Sequence, residues 1–274
     1  PFPDLNQHYK QKTLCLEQLA EAIGEAVARW QDIRPSGYGP FSASEAHTRK
    51  RLTGLHTSYA SYYTLNLQRH LDFLTARGFL PDTLAAAIID ALARHQDLLG
   101  MSPGCLVHKD LALWNILGSP QSIAAFIDWD DAISGDAMDD LSLLGCFYDA
   151  PVIERALTGY VRVRPLPEHY LRRFWLCLLR NMLVKAVIRV GAGYFKRNDS
   201  FFLIGSGSTG PGLPGEVQPG GSVLVAGGVV VSAHGGRRQH RGGPVRDTTT
   251  VCLVDDSEGA HVTSMSCQRS DATA

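Results

Sequence analysis

The stretch from Cys105 to Leu141 constrains this chain most, because short apolar runs alternate there with acidic and amide side chains at close, fixed steps. Cys105-Leu106-Val107 is an apolar run that reads as a strand and leads into His108-Lys109-Asp110-Leu111-Ala112-Leu113-Trp114-Asn115. Asn115 to Leu117, then Gly118-Ser119-Pro120-Gln121, then Ile123 to Ile127 reads as strand, turn, strand. Asp128-Trp129-Asp130-Asp131 follows at once. A hairpin here brings Asn115 and Asp128 together although they lie 13 positions apart. Two neighbouring side-chain oxygens suit a magnesium ion that keeps several of its waters. Gly135-Asp136-Ala137-Met138-Asp139-Asp140-Leu141 closes the stretch, with Asp136 placed to cap a helix that begins near Ala137.

These three runs read H-x-D-L-x-x-x-N, I-D-W-D and G-D-x-x-x-D-L, and each alone could arise by chance. Their order within one short stretch resembles the aminoglycoside phosphotransferase and choline kinase-like family, whose members share a protein-kinase-like fold and phosphorylate small molecules. The resemblance implies ATP as phosphate donor, Mg²⁺ as the metal and a small-molecule hydroxyl as acceptor. It implies that Asp110 accepts or orients the hydroxyl proton, and that Asn115 and Asp128 hold the metal and, through it, the nucleotide. Asp140 then braces the catalytic loop from below. Two readings of Asp130 stand: a contact to metal or substrate, and a solvated turn residue. His108 reads as a buried brace for the loop in preference to a base. Lys109 is expected on the surface, within reach of a phosphate, and Trp114 and Trp129 read as packing residues.

A weaker likeness covers about residues 10 to 204, expected to form the helical C-terminal lobe of that fold: mainly α with a small β-hairpin. Leu16, Leu19, Ile23, Val27 and Trp30 recur at three- and four-residue steps, as one buried helix face does. Further helices are expected over Ser58–Ala76, from Asp82 to about Leu99, and over about 140–148, 151–160 and 168–190. Arg172, Arg173, Arg180 and Arg189 read as a solvated or ion-paired face. A complete kinase of this type carries a β-rich lobe before the helical one, with a lysine for the α- and β-phosphates. Before His108 the only lysines are Lys10, Lys12 and Lys50, none after a V-A-I-like strand, and Gly37-Tyr38-Gly39 reads as a turn. The N-terminal β-lobe is therefore expected to be missing, and this chain alone is expected to show little or no turnover.

The text changes near Gly205. Residues 205–274 hold 14 of the 27 glycines and no Phe, Trp, Tyr, Ile, Lys or Asn, so few large side chains remain to offset ordering entropy. This Gly-rich tail is expected to be disordered or to stem from a shifted reading frame, with one weak hairpin across Gly227-Gly228. The chain thus divides into residues 1–204 and 205–274.

The formal charge of −1 argues against nucleic acid or an anionic membrane as partner. Six cysteines without C-x-x-C spacing suggest neither a disulfide framework nor a zinc site, and fit a cytoplasmic protein. The most apolar helix carries too many charges to span a membrane. Nothing in the sequence speaks to oligomeric state. A protein kinase is the rival within the fold. Asp-Trp-Asp in place of D-F-G and the short step from Asp128 to Asp140 disfavour it. The rival of another class is a non-catalytic remnant or binding module; a purely structural helical protein makes the ordered motif a coincidence.

Overall fold

The computed structural model describes residues 2–101, 103–148 and 150–193, and the backbone of four strands within 222–267. The first of these parts is mostly helical with small sheets. After a short helix α1 (Leu5–Lys10), helix α2 (Leu16–Trp30) buries Leu16, Leu19, Ile23 and Val27, the face expected from their spacing. It packs on α8 (Ala150–Val163) at a crossing with no room for side chains. A Cβ on Gly159 would stand 1.9 Å from the Glu21 carbonyl oxygen, and one on Gly24 1.8 Å from that of Ala156. Ion pairs from Glu21 to Arg155 (3.0 Å) and Arg162 (2.6 Å) flank the crossing, exposed enough to add little energy.

Of Gly37-Tyr38-Gly39, expected as a turn, Tyr38 and Gly39 begin a strand and Gly37 is a bend before it. Strand β1 (Tyr38–Phe41) pairs antiparallel with β2 (Gly54–His56) on one side and β6 (Ile133–Gly135) on the other, and β6 pairs with β3 (Cys105–Val107). Gly39 adopts φ 75° with its α-carbon against the Tyr62 ring, where a Cβ would lie 2.6 Å from a ring carbon. A side chain there would be strained and would clash. This four-stranded sheet anchors both ends of the segment that carries the motif.

The helix expected over Ser58–Ala76 is two: α4 (Tyr59–Tyr63) and α5 (Leu67–Ala76), separated by Asn66 in the left-handed region at φ 59°. A short α3 (Ala43–Arg49) precedes them. Helix α6 covers Asp82–Arg94 and gives way to a 3-10 turn at Gln96–Leu99. Beyond the motif come α7 (Asp139–Leu144), α8 and the long α9 (Tyr170–Gly191). Of the arginines expected on a solvated or ion-paired face, Arg173 is ion-paired, and Arg180 is held against an aromatic ring. Arg173 meets the buried Asp136 at 2.8 Å, and Arg180 lies over the Tyr62 ring at 4.2 Å.

Among the described residues no helix is long and apolar enough to cross a membrane. Cys105, Cys146 and Cys177 are buried free thiols, and Cys15 is exposed. Strands β7 (Ser222–Ala226) and β8 (Val229–His234) form the hairpin expected across Gly227-Gly228, within a sheet completed by β9 (Thr248–Leu253) and β10 (Thr263–Cys267). The boundary expected near Gly205 lies outside the described residues.

Candidate active site

The loop after β3 runs through two backbone positions that L-residues rarely adopt, Lys109 at φ 71° and, beyond the hairpin, Asp128 at φ 64°. Such strain persists where the surroundings over-determine it. Here Asp140 supplies much of that constraint. Fully buried at the start of α7, it accepts the backbone N–H of His108 (2.9 Å) and of Lys109 (3.0 Å), and the indole N–H of Trp30 (3.1 Å). Burial pushes its carboxyl above the usual range, while the two backbone N–H groups pull the other way. The geometry expected of a brace beneath the loop is present.

His108 is fully buried, with Nε2 2.8 Å from the Ile127 carbonyl and Nδ1 accepting the Asp110 backbone N–H at 3.3 Å. These partners fit the neutral ring protonated on Nε2, which ties the loop to the end of the hairpin. The His108 ring lies 4.5 Å from Trp129, which packs edge-on against Trp30. Trp129 is thus a packing residue. Trp114 is 40 % exposed and meets Phe147 edge-on at 5.0 Å.

Lys109 corrects the surface expectation. Its ammonium turns inward to Asp139 (2.7 Å) and the Asn181 amide oxygen (2.6 Å), leaving 13 % of the side chain exposed. Burial disfavours its charge, yet the Asp139 carboxylate, by charge and hydrogen bond, and the Tyr62 phenol together raise its pKa. The backbone kink at Lys109 and the carboxylate at the mouth of α7 draw the side chain away from solvent.

Asp110 stands at the mouth of the site, held from two sides. The Asn115 amide nitrogen donates to its Oδ2 at 2.9 Å and to its carbonyl at 2.8 Å, and the Lys185 ammonium donates to its Oδ1 at 2.9 Å. Asn115 is buried at the foot of the hairpin of β4 (Ile116–Ser119) and β5 (Ser122–Phe126). Ile127 N–H donates to the Asn115 carbonyl at 3.0 Å, which sets Asp128 beside Asn115 as the hairpin reading expected. Asp128 and Asp130 are exposed. With its amide nitrogen committed to Asp110, Asn115 keeps its amide oxygen for another partner. That oxygen and the exposed Asp128 carboxylate are hard donors suited to Mg²⁺. Among the described residues no group of three or more His, Cys, Asp or Glu could hold a metal ion, so an ion here would take most of its ligands from water and phosphate.

Asp136 accepts the Met138 N–H at 2.9 Å, capping the turn that opens α7, and pairs with Arg173. Sequence reasoning did not find the partners on α9. Arg173, Cys177, Asn181 and Lys185 follow one another at four-residue steps on that helix. They meet Asp136, Tyr59, Asp139 and Asp110 in turn. That four-residue repeat along α9 was the available signal.

A loop braced by a buried carboxylate, an aspartate held by an amide and a hairpin delivering a second aspartate stand together in a protein-kinase-like fold. The phosphotransferase enzyme family (APH) matches residues 7–171, more than half of the chain, and the chain belongs to that family. Among solved structures, a protein designated a fructosamine-3-kinase from Thermobifida fusca is similar with a TM-score of 0.51 at 23 % identity, over 65 % of this chain and 61 % of that one. The aminoglycoside phosphotransferase APH(4)-Ia, in ternary complex with AMP-PNP and hygromycin B, is 21 % identical over 66 % of this chain and 63 % of that one, with a TM-score of 0.43. The macrolide 2'-phosphotransferase MphH of Brachybacterium faecium is 20 % identical over 65 % and 55 %, with a TM-score of 0.44. This chain therefore spans less than two thirds of the length of each. No curated protein matches it.

Proposed function

We propose that this chain carries the acceptor and metal side of an ATP-dependent phosphotransferase acting on a small-molecule hydroxyl. Asp110 orients that hydroxyl and takes up its proton; Asn115 and Asp128 hold Mg²⁺, which neutralises charge on the phosphates. Asp140 and His108 hold the loop and do not react, and Asp130 stays in solvent beside the metal. The observation that carries this reading is the Asp110 carboxylate fixed at 2.9 Å by Asn115, whose own carbonyl is tied to the residue before Asp128. Family membership supports it.

Transfer also needs cations over the α- and β-phosphates. The two lysines beside the loop are engaged, Lys109 with Asp139 and Lys185 with Asp110. The proposal therefore includes low turnover for this chain on its own. It also takes residues 1–204 as the active unit, residues 205–274 as dispensable to it, and the cytoplasm as its site of action. The test is ADP release from Mg·ATP with a panel of small alcohols, sugars and aminoglycosides. We expect slow, acceptor-dependent release that disappears in Asp128→Ala. Metal-dependent nucleotide binding without any release would favour a binding module in its place.

A further inference from the structure

The family motif ends before α9 begins, yet α9 places a cation on the residue at the centre of the site. Lys185 Nζ lies 2.9 Å from Asp110 Oδ1, with 24 % of the lysine side chain and 19 % of the aspartate side chain exposed. The pair is largely withdrawn from water, so neither charge is strongly screened. A bare aspartate at an acceptor site presents a full negative charge and draws in cationic groups. Here that charge is cancelled on the spot. The other cation near the loop, Lys109, is spent on Asp139 and adds nothing at the mouth of the site. Lys185 Nζ is also 6.0 Å from the centre of the Phe147 ring, and Trp114, 40 % exposed, packs edge-on against that ring at 5.0 Å.

We propose that Lys185 is a specificity-determining residue that neutralises Asp110, so that the site takes an uncharged hydroxyl compound and discriminates against polycations. This rests on the reading of Asp110 as the residue that receives the acceptor. The mechanism of discrimination is electrostatic: a cationic acceptor reaching Asp110 must either displace the Lys185 ammonium or sit beside it, and like charges in a partly desolvated site repel.

The test is equilibrium binding of neomycin, a hydroxyl-rich polycation, measured without nucleotide so that it does not depend on turnover. Wild type is compared with Lys185→Met, Lys185→Gln, Lys185→Arg, Asp110→Asn and the double variant Asp110→Asn/Lys185→Met, each checked for a native melting transition. Lys185→Met and Lys185→Gln are expected to bind neomycin at least about tenfold more tightly than wild type, because each uncovers the Asp110 charge. Lys185→Arg should match wild type, and Asp110→Asn in the Lys185→Met background should abolish the gain. That last comparison separates Asp110 from the exposed carboxylates of Asp128, Asp130 and Asp131. Neomycin binding that is no tighter in either neutral variant, including none at all, overturns the proposal, as does a gain that survives Asp110→Asn. Failure of ADP release in the earlier assay would count against phosphotransfer and leave this binding cycle readable by itself.

Discussion

The carboxylate of Asp140 receives N–H groups from His108, Lys109 and Trp30, the first two within the loop and the third from the end of α2. Removing it leaves these donors buried without an acceptor, and a hydrogen bond to a charged group contributes about 1.5–3 kcal/mol. Asp140→Ala should therefore lower unfolding free energy by about 3 kcal/mol or more in urea denaturation, although the residue touches no acceptor position. An unchanged midpoint would mean the loop holds its shape without it. At this scale the placing of Asn115 at the foot of the hairpin beside Asp110, and of Asp140 beneath the loop, was legible, because the motif sets their order and the hairpin their proximity; their roles belong to the proposal. Lys109 was misread as exposed, since its partner Asp139 lies 30 positions on and a lysine between His and Asp gives no sign of which way it turns. Lys185 and Asn181 were not legible for the same reason: a single helix shows that polar residues share a face, not what that face meets.

Helices and strands differ in how far local sequence determines them. The periodic face of α2 is local and was read correctly, as was the existence of the β4–β5 hairpin, although Gly118 and Ser119, expected in its turn, belong to β4 and only Pro120-Gln121 turn. Strand β1 was not, because its partner β6 lies far along the chain and Gly37 and Gly39, one before and one within it, resemble turn residues. The break between α4 and α5 turns on one left-handed asparagine set between two leucines. The α2–α8 crossing was invisible for a different reason: Gly24 and Gly159 matter only once the helices meet. With a Cβ at Gly159 only 1.9 Å from a backbone carbonyl, the helices must part. Overpacking of this kind costs about 1–3 kcal/mol. Gly159→Ala should lower the melting temperature measurably even though alanine raises helix propensity. A stabilised variant would show that the crossing is looser than its geometry.

For the molecule as a whole, buried protons make alkaline pH the weak side. Burial pushes the Cys146 thiol up to about 12, and Cys105, Cys177, Tyr59 and Tyr63 in the same direction. In the unfolded chain thiols release their protons near about 8.5 and phenols near about 10. The folded state then binds more protons than the unfolded state, so unfolding free energy falls as pH rises through that range. Urea midpoints should hold up to about pH 8 and decline steadily from there to about pH 11. A flat profile would mean these groups are less enclosed than they stand here.

The central claim is that Asn115 and Asp128, joined across the hairpin, hold the metal that carries the nucleotide. The direct measurement is a fluorescent ATP-analogue titration of wild type and Asp128→Ala, each with Mg²⁺ and with the metal chelated. Wild type should bind in a Mg²⁺-dependent way, and either chelation or Asp128→Ala should weaken binding by at least about tenfold. Binding indifferent to both the metal and the substitution, or no binding by wild type at all, would contradict the account.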